Sequence, residues 1–332
     1  MTTAIPPMIS LAERLAPLEA GAYVVAAGFL GGEPACALGD GALLLGERRM
    51  ALHEGSVLCA AFDGKRLLTG GDDGAVLSTA PDGTITRIAE RQGWIDAVAS
   101  GPDGAVAWSV GKKVFVRDGA GKTFEHADAS TARGLAFAPK GFQLAIARYN
   151  GVTLWFPRAQ AEPKELPWKG SHVEVTWSPD GRFVVTTMQE PALHGWRVAD
   201  GAHMRMTGYP GKVRSIAWSG DGKWLATSGA DAAIVWPFAA KEGPMGKPPV
   251  ELSVRREKVT RVAFHPAAPL VAIGYEDGMV LLSRMPDGAE ILLRKQGEGG
   301  PVSALAFDAK GTRVLFGTEG GAAGVFSLAP EG

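Results

Sequence analysis

Three observations predict an all-β chain built as a β-propeller of four-stranded antiparallel blades. One pattern recurs along nearly the whole sequence at a period close to 40 residues, turn residues punctuate it at matching places in each copy, and 45 Gly with 22 Pro among 332 residues favour tight turns over long helices.

The clearest copy is VRSIAWSGDGKWLATSGADAAIVW, from Val213 to Trp236, and further copies start at Val57, Ala132, Val173, Val259 and Val302, with weaker ones at Val24 and Ile95. Aligned on the aromatic that ends the first apolar run, they give Phe29, Phe62, Ser100 as the one degenerate position, Phe137, Trp177, Trp218, Phe264 and Phe307. Each copy reads as a first run ending in Ala-Phe or Ala-Trp, a turn, a second apolar run, an Asp-Gly or Asn-Gly turn, a third run and a more polar fourth run, which is a β-meander. The first turn keeps its chemistry at Asp63-Gly64, Asp103-Gly104, Lys140-Gly141, Asp180-Gly181 and Asp221-Gly222, and the third-to-fourth turn repeats it at Asp82-Gly83, Asp200-Gly201 and Asp287-Gly288. The residue before the anchor is small in every copy (Gly28, Ala61, Ala99, Ala136, Thr176, Ala217, Ala263 and Ala306), so neighbouring sheets are expected to approach closely there.

Four-stranded units cannot bury both faces alone, so they stack radially and close into a ring. Repeat counting gives eight blades, with seven as the alternative, and leaves the last blade one strand short. Residues 1–21 are read as an N-terminal segment ahead of a propeller at 22–332, with residues 8–17 supplying the missing outer strand to the blade made by residues 302–328; Ile9, Ala12, Leu15 and Ala16 also fit a short helix. The third-to-fourth connection of the sixth unit, Phe238 to Val250, is expanded and rich in Pro and Gly, which predicts a mobile solvated loop.

With those residues in view, the unit resembles the WD40 repeat over roughly residues 22 to 328. Third-strand tryptophans stand at Trp155, Trp196 and Trp236, but Asp follows none of them, and the Gly-His pair that usually precedes the first strand is missing. The family's turn Asp matches Asp40, Asp73, Asp231 and Asp277, with Asn150 as a substitute, so the resemblance implies at most a partial Asp-His-Ser-Trp network.

Charge and composition exclude several classes. Net charge is -1, with 34 Lys+Arg against 35 Asp+Glu, so no excess of positive charge points to nucleic acid or an anionic membrane surface as partner. Two cysteines, Cys36 and Cys59, are too few for a disulfide framework and read as small fillers in a reducing compartment. The first residues lack the pattern of a signal peptide and no run is apolar for 18 residues, so a cytoplasmic protein is expected.

Searches for catalytic motifs return nothing: no phosphate-cradling Gly loop, no Gly-x-Ser-x-Gly elbow, no paired Cys-x-x-Cys. His53, His126, His172, His194, His203 and His265 fall at different places in the repeat, so no catalytic residue, metal ligand or cofactor is assigned. The remaining candidate is the face formed by the loops into each first strand and the loops between second and third strands. It carries Tyr23, Trp94, Asp96, Arg133, Arg148, Tyr149, Glu174, Glu190, Lys212, Arg214, Lys258, Tyr275 and Glu276, several of them types enriched where proteins bind one another. The expected function is a non-enzymatic protein-protein interaction platform, or scaffold, whose partner is a protein or peptide bound on this top face. The alternative is a metal-dependent enzyme or small-molecule binder using carboxylates such as Asp72, Asp96, Glu174, Glu190 or Glu276 at the channel mouth.

Overall fold

The computed structural model describes residues 9–159 and 161–329, and among them there is no α-helix. The first unit shows the local logic. Val24–Leu30, Glu33–Leu38, Ala42–Leu45 and Arg48–Ala51 form an antiparallel meander. Its middle strands are buried on both faces, so they read as continuous apolar runs, whereas fourth strands such as His203–Met206 alternate exposed and buried. The glycines closing both turn types take the left-handed conformation that side chains resist, φ being +79° at Gly64 and +73° at Gly201.

The first strands end on the aligned anchors, for example Val57–Phe62, Gly134–Phe137, Ile216–Trp218 and Val302–Phe307. Ser100, at the degenerate position, donates a hydrogen bond to Asp63 Oδ2 at 2.5 Å and accepts one from Arg66 at 3.1 Å, a polar tie to the second unit where other copies pack a ring.

Among the described residues hydrogen bonding groups the strands into seven sheets, the alternative number. Six hold four or five strands, and one runs through six because Leu144–Trp155 and Lys164–Trp177 each serve twice. The second of these pairs through residues 164–167 with the strand before it and through residues 172–177 with Phe183–Met188, so the fourth and fifth repeat units share that sheet. Apolar layers lie between successive repeat units, such as Val114, Val116, Leu144 and Ile146 between the third and fourth, and Phe183, Val185, Leu225 and Phe238 between the fifth and sixth. Each fully buried Val, Leu, Ile or Phe contributes about 1.5–3 kcal/mol, so these layers hold the ring together. Close approach at the small column is borne out at Gly28, where a Cβ would meet the Phe62 ring at 2.7 Å.

The last unit meets the first through Ser303 Oγ, which donates to the Val24 carbonyl at 2.7 Å. An N-terminal strand closes the ring, but its place is shifted. Leu15–Glu19 pairs antiparallel with Ala322–Ser327 as the missing outer strand, a 3-10 turn occupies Ala12–Arg14, and Ile9–Ser10 pairs in parallel with Glu290–Arg294 of the preceding unit. Residues 8–17 are therefore neither one strand nor one helix, and Met8 lies outside the described residues. Two pairing edges are available to one short segment, and it uses both.

The insertion at 238–250 departs from the expected loop. Phe238 is fully buried against Phe183 and Trp218, and the carbonyls of Phe238, Ala240 and Lys241 accept hydrogen bonds from Arg182 and Arg197 of the fifth unit. Its first half is a strap across two units rather than a free loop.

Candidate partner-binding face

The first strands enter the ring from one face, and in five of them a β-bulge interrupts pairing near the entry: between Val24 and Ala26, Val57 and Cys59, His172 and Val175, Val259 and Arg261, and Val302 and Ala304. A bulge adds a residue and re-aims the side chains beside it. Here that turns polar and apolar groups alike into a central channel of about 460 Å³, lined by Val25, Leu58, Asp96, Arg133, Glu174 and Ile216 among others.

The structure brings together seven of the sequence-predicted residues, three at this mouth and four in a cleft beside it. Asp96 accepts a hydrogen bond from the Gly111 amide at 2.7 Å and stands 3.8 Å from Arg133. Glu174 is exposed at the channel wall while its carboxyl is ringed by protein; that crowding raises its carboxyl, and the charges of Arg261 and Lys212 pull it back. Partial burial lowers the Lys212 ammonium, and the neighbouring cations Arg214 and Arg133 lower it further. Lys212 donates to Gln189 Oε1 at 2.6 Å. Arg214 and Lys258 line a side cleft of about 130 Å³ between the sixth and seventh units, with Lys212 and Glu276.

On the same side, Tyr23, Trp94, Tyr149 and Glu190 are exposed, Trp94 to 68% and Tyr149 to 56%. Two predicted residues do not belong to this surface. Tyr275 is fully buried and donates its hydroxyl to the Ser253 carbonyl at 2.5 Å, because its ring fills the layer between the sixth and seventh units. The Arg148 side chain is 12% exposed and its guanidinium is consumed internally: it pairs with Asp128 at 2.9 Å and with Glu165, and donates to Thr153 Oγ1 and the Tyr149 carbonyl at 2.9 Å. Both are corrections of one kind, since a loop position in the repeat does not say whether a long side chain turns outward or back.

Arg261 is the channel residue that the sequence reading missed. It holds the Ser303 carbonyl at 2.6 Å and the Thr260 carbonyl at 2.9 Å, and its charge is felt by Glu174 across the axis. Its signal was present: counting back from the anchors, Arg261 before Phe264 occupies the same step as Glu174 before Trp177.

Among the described residues no group of three His, Cys, Asp or Glu could hold a metal ion, and no helix is long and apolar enough to cross a membrane. Both cysteines are free, Cys36 buried and Cys59 half-buried, and burial pushes each thiol up to about 12.

A model of the WD domain, G-beta repeat, matches residues 203–236, which include the clearest repeat. Periodic tryptophan protein 2 of Saccharomyces cerevisiae is 24% identical over an alignment covering 77% of this chain and 32% of that protein. The chain folds as a β-propeller and is similar to the WD40-repeat proteins. WD repeat-containing protein 1-B of Xenopus laevis is 38% identical over 81 residues, 24% of this chain and 13% of that one. The chain thus spans a third or less of the length of these curated relatives. The computationally designed Ika8 protein shares the fold, with a TM-score of 0.77 at 20% identity over 94% of this chain and 98% of the designed one.

The WD40 similarity gives meaning to two buried networks. In the second unit of this propeller, His53 Nδ1 sits 3.0 Å from Asp73 and Nε2 sits 2.9 Å from Thr69 Oγ1, so the family's Asp-His-hydroxyl arrangement exists without the Gly-His pair. In the sixth unit a tyrosine replaces the histidine: Tyr209 Oη lies 2.7 Å from Thr227 Oγ1 and accepts the Trp236 indole N–H at 2.6 Å. These groups clamp entry loops to strands.

Proposed function

We propose that the chain is a non-enzymatic interaction platform that binds a protein or peptide through the face carrying the first-strand entry loops, over the channel mouth. The observation that carries this reading is the concentration of unburied apolar side chains there. Of the large hydrophobic residues left exposed, Tyr23, Leu58, Trp94, Tyr149 and Val254 stand on that side, beside a mixed-charge mouth, which is the composition of a protein-recognition surface. A cavity of about 460 Å³ open to the same face offers a partner side chain a place to insert.

The test uses Trp94→Ser, Tyr149→Ser and Arg133→Glu together, with a Lys310→Glu variant on the opposite face as control. The wild-type chain and both variants, matched in circular dichroism, are used to capture proteins from native lysate. Stoichiometric capture by wild type and the control, lost in the triple variant, supports the reading. Capture unchanged in the triple variant places binding elsewhere and refutes it.

A further inference from the structure

The cleft between the sixth and seventh units gathers cations on the proposed face. Its walls are Gly211, Lys212, Arg214, Ser228, Lys258 and Glu276, and three of those side chains are cations. The other polar groups nearby are already committed. Ser228 Oγ accepts the Arg214 amide at 3.1 Å, Thr260 Oγ1 donates to the Val302 carbonyl at 2.8 Å, Lys212 is held by Gln189, Arg261 by two carbonyls, and Arg133 faces Asp96. Among the described residues the side chains of Arg214 and Lys258 have no hydrogen-bond or ion-pair partner. Lys258 is nonetheless drawn in over the cleft, its Nζ 3.8 Å from where a Cβ on Gly211 would stand.

Burial, and after it the like charges of Arg214 and Arg133, lower the Lys212 ammonium, so the cations here repel one another. An anion entering between them would relieve it and meet donors that have nothing else to bind. At about 130 Å³ the cleft holds about four waters' worth of volume, too little for a cofactor and enough for one side-chain carboxylate. Glu276 on the rim and Glu174 across the mouth oppose a dianion more than a single charge, which favours a carboxylate over a phosphate.

We propose that this cleft receives an Asp or Glu side chain of the partner, so that the face reads an acidic peptide segment with Arg214 and Lys258 as its specificity-determining contacts. The proposal rests on the platform reading above and adds the chemistry of the partner to it.

Fluorescence anisotropy with a labelled octapeptide of alternating Asp and Glu tests it, against the isosteric Asn and Gln octapeptide. The acidic peptide is expected to bind at least tenfold more tightly than the neutral one, and Arg214→Ala with Lys258→Ala to lose roughly tenfold or more, the loss of one or two charge-assisted hydrogen bonds. The swapped pair Arg214→Lys with Lys258→Arg should retain binding within about threefold, because charge rather than one geometry is needed. Equal affinity for the two peptides, an unchanged double-alanine variant, or displacement by millimolar inorganic phosphate at constant ionic strength would each overturn the assignment. Neither Arg214 nor Lys258 is touched in the lysate capture. A partner lost with Trp94 and Tyr149 but indifferent to this pair overturns the acidic-segment proposal and leaves the platform reading standing; capture that survives the loss of Trp94 and Tyr149 removes the platform itself.

Discussion

Lowering the pH from 7.5 to 5 should destabilise this propeller through its buried histidines, His194 above all, with His172, which burial also lowers, adding to the loss in wild type and variant alike. Its ring is fully buried in the third strand of the fifth unit, stacked on Trp168 at 4.0 Å between centroids, with Trp196 at 4.7 Å, His203 at 5.3 Å and His172 at 6.3 Å. Among the described residues neither ring nitrogen has a hydrogen-bond partner. Burial first, then the charges of His172, His203 and Arg205, lower its pKa from 6.5 to about 3. The folded value lies below the unfolded one, so the stability that neutral His194 provides is complete above pH 6.5 and is lost as the pH falls towards 3. At pH 5 the unfolded imidazole is protonated and the folded one is not, a gap of about 1.5 pH units from the unfolded value, or about 2 kcal/mol. That figure holds for any folded value below about 4.5. The comparison is His194→Phe, which keeps an aromatic ring on Trp168 and removes the titration. Urea unfolding followed by far-ultraviolet circular dichroism should show wild type losing about 2 kcal/mol more than the variant between pH 7.5 and 5. At pH 7.5 the variant should be at least as stable, because two unpaired buried nitrogens are gone. Equal pH dependence in the two proteins would refute the argument that this ring is buried neutral and unpaired.

Arg148→Ala should cost about 3 kcal/mol in urea unfolding, since it strands the 3%-exposed Asp128 carboxylate, and it should leave partner capture unchanged; loss of capture without loss of stability would return Arg148 to the binding face. Tyr275→Phe should lower stability by about 1–2 kcal/mol by freeing the Ser253 carbonyl, and no change would mean that the 2.5 Å hydrogen bond is not formed in solution. Gly317→Ala places a Cβ within 2.5–2.7 Å of the Val24 side chain at the seam between last and first units, an overpacking of about 1–3 kcal/mol. Adding Val24→Ala should recover part of that loss, and strict additivity in the double variant would show that the two do not meet across the seam.

The repeat was readable because strand pairing and turns are written locally. The anchors Phe62, Phe137, Trp218 and Phe307 end first strands as their spacing implied, and the Asp-Gly turns adopt the positive φ that only glycine takes without strain. Closure by an N-terminal segment followed from counting strands. Its position did not, because residues 9–19 met two free edges and the packing of both units decided how they were divided.

Side-chain fate was decided by the tertiary structure. Tyr275 and Trp94 both read as loop residues in the repeat, yet Tyr275 ends the strand Leu270–Tyr275 and is sealed in an inter-unit layer while Trp94 is 68% exposed, and the difference is how closely the next sheet approaches. Arg148 turns inward because Asp128, twenty residues earlier, offers a buried charge that needs it. Phe238 pins an insertion whose Pro and Gly content reads as loose, and His194 gains its depressed pKa only when Trp168 of the neighbouring unit covers it. Sequence alone therefore determined the β-meander and its repetition, since a two-residue period and a turn are properties of adjacent residues. Which groups remain free to bind was settled only when the sheets packed, because burial, pairing and field depend on residues that the chain places far apart.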